Sequence, residues 1–158
     1  VLSGGECTQY KELDFFARKI KQLGMLVKID TNGSNPSRIK NIIEQNLVDY
    51  IALDFKALEA DYFKITNSKL YKRFWDTLEY LIKSKVKFEI RTTVHSELIN
   101  ASQLMEMIDL VYLKGYRGSY YLQNFVNNSV TLGGISNSNA KIHLINYKCD
   151  DLKVESRN

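Results

Sequence analysis

The sequence has little proline, little cysteine and no long apolar run, and each shortage excludes a class of protein. One proline and eight glycines in 158 residues are too few for a low-complexity linker or a fibrous repeat. No apolar segment approaches the roughly 20 residues that a membrane-spanning helix needs. The two cysteines, Cys7 and Cys149, lie far apart, which excludes a disulfide framework and any zinc or iron-sulfur cluster motif within this chain. We therefore expect a protein of the reducing cytoplasm, without a membrane partner.

An excess of charge of one sign is also lacking. The 22 basic and 18 acidic residues are mixed along the chain and give a formal net charge of +4. This mixture is typical of solvated helix surfaces, so we expect no nucleic-acid partner. His95 and His143 are isolated in the sequence, which favours structural or surface roles over catalysis.

What is present is an alternation of apolar strands and amphipathic helices. The predicted helices cover 8–23, 70–84 and 101–111, with another beginning at Asn35-Pro36, and the predicted strands cover 25–29, 48–53, 87–93 and 120–122. The first helix should bury one face and end at Gly24; that face consists of Leu13, Phe16, Ala17, Ile20 and Leu23. Strands joined by helices of this length pair in parallel, so the fold class is α/β.

The chain reads as a single domain over 1–158, with regular strands and helices up to about residue 125. Residues 124–139 are rich in Asn, Ser and Gly and predict a loop. Residues 141–147 predict one more strand, so 126–158 is a C-terminal loop with a possible last strand.

Short polar signatures follow the predicted strands. Ser3-Gly4-Gly5-Glu6 exposes backbone amide and carbonyl groups, because glycine has no Cβ and lets a ligand approach closely. The alternative is a tight turn that places Glu6 near a helix start, where a carboxylate is favoured.

Two further signatures carry carboxylates. Asp30-Thr31-Asn32-Gly33 offers hard oxygen atoms for a cation or an amino group, or it forms a simple Asn-Gly turn. Asp54-Phe55-Lys56 ends an apolar strand with two charged side chains on one side, which either contact a ligand or form a structural ion pair. Arg91 lies within a strand and could bind a carboxylate or phosphate, or pair with Glu89 on the same face.

Taken in order, these signatures resemble the radical S-adenosylmethionine (SAM) superfamily, and within it the activating enzymes of glycyl-radical systems. The likeness is greatest to the activating proteins of anaerobic ribonucleoside-triphosphate reductase. It covers the chain from Val1 to about Phe125, in the segments 2–6, 29–33, 48–57, 90–94 and 121–125.

The resemblance implies a partial (β/α) TIM-like barrel of parallel strands that lacks its first strand. It implies that SAM chelates a [4Fe-4S] iron-sulfur cluster, whose reduction cleaves SAM to a 5′-deoxyadenosyl radical. That radical then abstracts hydrogen from a glycine of the partner, an anaerobic ribonucleotide reductase or a related glycyl-radical enzyme. A flavodoxin or ferredoxin would donate the electron.

The resemblance also implies roles for individual residues. Gly4 and Gly5, between Ser3 and Glu6, would meet the methionine amino group through the backbone. Asp30, Thr31 and Asp54, with Asn32 nearby, would form a monovalent cation site or polar contacts beside the ligand carboxylate. Lys56 and Arg91 would bind or orient the ligand. Gln123 and Asn124 would contact its adenosine end.

Two departures from the family qualify this prediction. The three-cysteine cluster motif has no counterpart, and Cys7 stands where the family usually has proline. The chain also begins at Val1 within a predicted strand. We therefore expect a truncated domain that binds neither SAM nor the cluster, is inactive alone, and dimerises through an exposed sheet edge.

Two alternatives to a glycyl-radical activating enzyme remain at this point. One keeps the superfamily but acts on a small molecule, as the deazaguanine-pathway synthase does. The other is a non-catalytic module in which the polar strand ends recognise a nucleotide or a partner protein.

Overall fold

The computed structural model describes residues 1–128, 134–139 and 151–157. Its strands are β1 (Lys28–Thr31), β2 (Tyr50–Asp54), β3 (Lys87–Val94), β4 (Ser119–Asn124) and β5 (Lys153–Arg157). Its helices are a 3-10 turn (Cys7–Gln9), α1 (Leu13–Gln22), α2 (Pro36–Glu44), α3 (Glu59–Thr66), α4 (Tyr71–Lys83) and α5 (Ala101–Leu113). Within these ranges no helix is both long and apolar enough to cross a membrane.

The five strands form one sheet in the order β1-β2-β3-β4-β5, and every pair is parallel. The predicted α/β class is therefore confirmed. Leu2 extends the sheet by a single parallel bridge to Ile29, with Leu2 N donating to the carbonyl oxygen of Lys28 at 2.7 Å. This bridge places the glycine turn that follows Leu2 beside the carboxyl end of β1.

The start of α2 follows the sequence prediction. The Asn35 side chain accepts a hydrogen bond from the backbone N–H of Arg38 at 3.3 Å, and Pro36 occupies the first helical position. Proline costs nothing there because the N–H it lacks would have no partner within the helix.

The first predicted helix is partly wrong. Instead of beginning at Thr8, the chain makes a 3-10 turn, because Glu6 accepts the backbone N–H of Thr8, and α1 begins only at Leu13. Two of the five side chains predicted on its buried face are exposed, Phe16 at 54% and Leu23 at 71%. Gly24 does end this segment, with a φ of +74°.

Two elements are absent from the sequence prediction. Helix α3 has no clear apolar stripe, and Tyr62 is its one buried residue. Strand β5 alternates charged residues with Val154 and Ser156 and pairs with β4. The strand predicted at 141–147 lies outside the described residues, as do His143 and Cys149.

The sheet has two chemically different faces, because successive side chains of a strand point to opposite sides. One face is apolar and joins the helices in a single core, whose fully buried members include Ile29, Ile51, Leu53, Ile90, Ile39 and Ile42 of α2, Leu78 of α4 and Leu104 of α5. The other, which we call the polar face, includes Lys28, Asp30, Tyr50, Ala52, Asp54, Glu89, Arg91, Tyr121, Gln123 and Arg157. Parallel sheets are usually apolar on both faces, so the charged side chains of the polar face are the first candidates for a site.

Candidate functional site

Glu6 joins the glycine turn to the segment that follows β1. Its Oε1 accepts hydrogen bonds from the Oγ1 atoms of Thr8 and Thr31 at 2.6 and 2.7 Å, and its Oε2 accepts from the backbone N–H of Asn32 at 2.7 Å. The structure therefore brings together three predicted site residues, Glu6, Thr31 and Asn32. Their contacts with each other fix the turn, as in the structural alternative considered from sequence.

The two glycines of the turn leave open space beside the backbone. Gly4 and Gly5 have φ values of +106° and +55°, a region that favours glycine. A Cβ built on either residue would have no atom within 4 Å. Ser3, Gly4 and Gly5 are all exposed, so the backbone here is accessible to a ligand.

Four other predicted site residues form one ionic cluster at the carboxyl ends of β1, β2 and β3. Arg91 donates to Asp54 Oδ1 through Nε at 2.8 Å and to Asp30 Oδ2 through Nη1 at 3.1 Å. Lys56 Nζ donates to Asp54 Oδ2 at 2.9 Å. The structural alternative for Arg91, pairing with Glu89, is wrong: the parallel ladder places Arg91 opposite Asp54, and Glu89 takes other partners.

The charges in this cluster reinforce each other. Burial alone would lower the pKa of Arg91, but the adjacent carboxylates of Asp54 and Asp30, with their hydrogen bonds, raise it above its ordinary value. Asp30 Oδ1 is buried and has no hydrogen-bond donor among the described residues. The cluster thus offers cationic groups for a carboxylate, and it contains one buried acceptor, Asp30 Oδ1, that lies 3.9 Å from Lys28 Nζ.

The side chains of Thr31 and Asp30 point to opposite faces of the sheet. Thr31 is buried, and its hydroxyl donates to Glu6 and accepts from the backbone N–H of Gly33 at 3.1 Å. Asp30 faces Arg91 on the polar face. The Thr31 hydroxyl is therefore separated from the two aspartates with which the sequence prediction grouped it.

Gln123 and Asn124 lie at the end of β4. Arg91 of β3 pairs in register with Tyr121 of β4. Gln123, two residues after Tyr121, therefore also lies on the polar face, nearer to the carboxyl end of β4. Asn124 points to the other side, where its Nδ2 lies 3.5 Å from Ser156 Oγ. The structure thus places Gln123, but not Asn124, on the same face as Arg91.

A second ionic cluster on the polar face was missed by sequence reasoning. Glu89 is 2% exposed, and its carboxylate contacts Lys28 Nζ at 3.1 Å, Tyr50 Oη at 2.9 Å and Arg157 Nη1 at 3.5 Å. The guanidinium of Arg157 also stacks on Tyr121, 3.2 Å from the ring centroid. The signal was charge at every second position of β1 and β3, which places Lys28 and Glu89 on the same face as Asp30 and Arg91.

Tyr50 serves this second cluster as a hydrogen-bond donor. Burial, the hydrogen bond to Glu89 and the charge of Glu89 together raise the pKa of Tyr50 to about 12. The phenol therefore stays protonated at neutral pH and keeps its bond to the carboxylate.

The described residues do not fit an iron-sulfur cluster. They contain no group of three or more His, Cys, Asp or Glu side chains placed to hold a metal. Cys7 is buried with its Sγ 3.3 Å from the carbonyl oxygen of Asp30, and burial, with the charges of Glu6 and Asp30, raises its pKa to about 12. Such a thiol stays protonated, whereas cluster ligands are thiolates.

His95 has a structural role, as predicted. Its Nε2 lies 2.8 Å from the carbonyl oxygen of Ser136, and its Nδ1 accepts the backbone N–H of Glu97 at 3.2 Å. Both ring nitrogens are therefore engaged by backbone groups, one just beyond the end of β3 and the other in the segment 134–139.

A large groove lies away from these clusters. It has a volume of about 710 Å³ and opens at the amino ends of β1, β2 and β3, between Val27, Val48 and Val86. It contains none of the sequence-predicted site residues. The convergent charged groups at the carboxyl ends, rather than this groove, define the candidate site, as expected for parallel sheets.

Comparison with known proteins agrees with the family resemblance found in the sequence. The profile of the Radical SAM superfamily matches residues 1–111. A curated protein of Methanocaldococcus jannaschii, named a glycyl-radical enzyme activating enzyme, is 30% identical over 117 residues. That match covers 70% of this chain and 49% of the relative, so the chain spans about half of the relative's length.

Solved structures show the same fold. SuiB of Streptococcus suis superposes with a TM-score of 0.72 at 16% identity, over 98% of this chain and 38% of SuiB. Its complex with the precursor peptide SuiA superposes with a TM-score of 0.64 at 17% identity, over 78% of this chain and 28% of that chain. These likenesses agree with the predicted partial (β/α) barrel.

Proposed function

The chain belongs to the radical SAM superfamily, and from that membership we propose that the whole protein binds SAM at the carboxyl ends of β1, β2 and β3 and activates a glycyl-radical enzyme. The observation that carries the binding site is the cluster of Asp30, Asp54, Lys56 and Arg91 beside the open glycine turn. When bound, SAM supplies one-electron chemistry directed at a carbon–hydrogen bond.

The residues of the site fit the methionine part of SAM. Arg91 and Lys56 supply two cationic groups for its carboxylate, and the guanidinium is held in a fixed orientation by two aspartates. Gly4 and Gly5 are exposed, and their backbone carbonyls can accept hydrogen bonds from its ammonium group. Gln123, further along the polar face, is the candidate contact for the adenosine part.

The described residues do not fit the cluster that the family uses, and no role in cluster binding is assigned to them. We place the cluster ligands in a segment other than the described residues. Activity accordingly requires more of the protein than the part described, as the sequence departures suggested.

The predicted monovalent cation site stays a prediction, in altered form. Asp30 and Asp54 converge, but Arg91 already lies between them as the counter-ion. A cation there would have to share both carboxylates with the guanidinium, and it would not meet the Thr31 hydroxyl, which contacts Glu6.

A protein substrate is the part of the proposal that rests on comparison. The relative from Methanocaldococcus jannaschii is named for activating a glycyl-radical enzyme, and SuiB has been solved with a precursor peptide. We infer a glycyl-radical partner of the anaerobic ribonucleotide reductase kind, and a flavodoxin or ferredoxin as electron donor. A cytoplasmic location follows from the same proposal.

Ligand binding tests the site directly. Isothermal titration calorimetry of the whole protein with S-adenosylhomocysteine should show binding that Arg91→Ala weakens at least tenfold, because a charge-assisted double contact is lost. Arg18→Ala is the matched control, since Arg18 contacts Gln45 on the surface. Equal binding by the wild type and Arg91→Ala would contradict the proposed site.

Partner activation needs a different readout. After anaerobic reconstitution of the whole protein with iron and sulfide, incubation with SAM, a reductant and the candidate reductase should produce a glycyl-radical signal in electron paramagnetic resonance. Turnover of a small pterin-like substrate without that signal would favour a small-molecule enzyme. A whole protein that stays colourless on reconstitution would favour a non-catalytic module.

The predicted dimer also remains a proposal. Leu2 occupies the sheet edge beside β1 through one bridge, and only this short extended segment covers that edge within the described residues. Unpaired strand edges promote association through main-chain hydrogen bonds. Size-exclusion chromatography with light scattering at high concentration should show a dimer, and a strictly monomeric species would contradict the proposal.

A further inference from the structure

The two ionic clusters of the polar face meet at one row of the sheet. Asp30 of β1, Ala52 of β2 and Glu89 of β3 are register partners, so the two carboxylates flank a methyl group. Ala52 is fully buried and adds no polar atom to the row. Two like charges in neighbouring positions need a shared cation to be stable.

Lys28 is that shared cation. Its Nζ lies 3.1 Å from Glu89 Oε1 and 3.9 Å from Asp30 Oδ1, the oxygen that has no hydrogen-bond donor among the described residues. The side chain of Glu89 is 3% exposed, compared with 22% for Asp30. The more deeply buried carboxylate therefore holds the ammonium, and Asp30 is left with part of its charge uncompensated on that side.

Charges alternate along one continuous path through both clusters. The path runs through Glu89, Lys28, Asp30, Arg91, Asp54 and Lys56. Its last four members form the proposed ligand site, which Lys28 contacts through Asp30 and which Glu89 does not touch. A change of charge at the buried end must alter the field at the ligand end, because successive groups are no more than 3.9 Å apart.

We propose that Glu89 and Lys28 are positioning residues that set how strongly Arg91 and Lys56 bind the carboxylate of an adenosyl amino acid. The proposal deepens the proposed function and rests on it. Glu89 holds Lys28 away from Asp30, so Asp30 interacts mainly with Arg91. The guanidinium is then less available to an anionic ligand, which limits the affinity for that ligand. If Lys28 were released from Glu89, its ammonium group could pair with Asp30, and the guanidinium of Arg91 could bind the ligand more strongly.

The proposal predicts opposite effects for two neighbouring substitutions. Glu89→Gln should raise the affinity for a carboxylate ligand about threefold, because it removes a negative charge and frees Lys28 for Asp30. Lys28→Met should lower that affinity by about the same factor, because Asp30 then depends on Arg91 alone. Lys28→Arg, which keeps the charge, should stay close to the wild type.

The probe should isolate the carboxylate. The desamino analogue of S-adenosylhomocysteine keeps the carboxylate and lacks the ammonium group, and 5′-methylthioadenosine lacks both. Calorimetric titration of the whole protein with both compounds should show the opposite shifts for the first and no shift for the second. Thermal unfolding of each variant checks that the fold is retained.

Arg157→Gln provides a second test of the proposal if the Glu89→Gln variant does not fold. Arg157 is 41% exposed, so its replacement should be tolerated, and Glu89 would then depend more on Lys28. The affinity for the desamino analogue should fall about twofold, again with 5′-methylthioadenosine unaffected.

Each outcome decides between the two proposals. Variants that all weaken binding in proportion to lost stability would show a merely structural role and overturn the inference, as would variants that bind the analogue like the wild type. In both cases the proposed function would stand. A wild type that binds neither compound would overturn the proposed function and the inference with it.

Discussion

Asp30 and Glu89 flank Ala52 in one row of the sheet, and a single ammonium group, that of Lys28, lies within 4 Å of both carboxylates. The methyl side chain of Ala52 is what leaves room for this arrangement. A larger residue at this position would fill the space between the two acidic side chains.

Ala52→Leu should therefore disturb the polar face. We expect a loss of about 1–3 kcal/mol in the free energy of unfolding, because three extra carbons enter a fully packed site. Urea denaturation measures it, and Ala60→Leu, at an exposed position in α3, is the control. An Ala52→Leu variant as stable as the wild type would show that the row has spare volume.

Arg91→Ala should destabilise the protein as well as weaken ligand binding. Asp30 and Asp54 would face each other without their shared guanidinium, at a cost of about 2 kcal/mol. The stability of Arg91→Lys should lie between those of the wild type and Arg91→Ala, because lysine keeps the positive charge and lacks the forked guanidinium. Urea denaturation at low and at high salt should show a smaller loss for Arg91→Ala at high salt, since salt screens the carboxylates.

Glu6→Gln tests the junction between the glycine turn and β1. An amide nitrogen cannot accept a hydrogen bond, so at least one of the Thr8, Thr31 and Asn32 donors loses its partner. The expected loss is about 1–3 kcal/mol in the free energy of unfolding. Glu12→Gln, at an exposed position, should change stability by less than about 0.5 kcal/mol.

Gly33→Ala and Gly24→Ala form a matched pair, because both glycines have a φ of +74°. The left-handed conformation alone should cost about 1–2 kcal/mol in each variant. At Gly33 the new Cβ would also lie 2.9 Å from Leu53 Cδ1, whereas at Gly24 it would meet open space. Gly33→Ala should therefore lose about 1 kcal/mol more in denaturant titration. Equal losses would show that Leu53 moves aside freely.

Asp49 gives stability a defined pH dependence. Burial alone would raise its pKa, but the hydrogen bonds from Lys21 and from the backbone N–H of Val27, with the charge of Lys21, lower it below 3.8. A depressed pKa in the folded state stabilises the protein above pH 3.8, and that contribution is lost as pH falls through the folded value. Asp49→Asn should be less stable than the wild type at pH 7, and the difference should shrink below about pH 4.

Denaturant titrations of the two proteins at neutral, mildly acidic and strongly acidic pH would measure this difference. Asp151→Asn, at an exposed position, is the control and should show no such trend. A difference between wild type and Asp49→Asn that stays constant down to about pH 3 would contradict the assignment.

The sequence predicted those elements whose signals are local. Helix α2 follows from Asn35 and Pro36, which determine the helix start through their own backbone and side chain. Strands β1 to β4 and the parallel sheet follow from apolar runs separated by helices. The predicted start of α1 was wrong because it depends on Glu6, a side chain outside the helix whose acceptor replaces a helical bond.

The errors at the site have a comparable cause. Along one strand, Arg91 and Glu89 share a face, so the sequence left a pair between them open as the alternative to ligand binding by Arg91. In the sheet their side chains point in parallel, and each finds its partner across the ladder, Asp54 for one and Lys28 for the other. Such partners depend on the register between strands far apart in sequence, which periodicity does not encode.

The sequential order of the strands has a consequence for biosynthesis. Each strand pairs with the one made just before it, so a strand-helix-strand unit can assemble on the emerging chain without waiting for distant segments. The charged path is different, since it needs β1, β2 and β3 together. Until Arg91 has left the ribosome, Asp30 and Asp54 lack the guanidinium that they share, and only the ammonium groups of Lys28 and Lys56 can balance their charge.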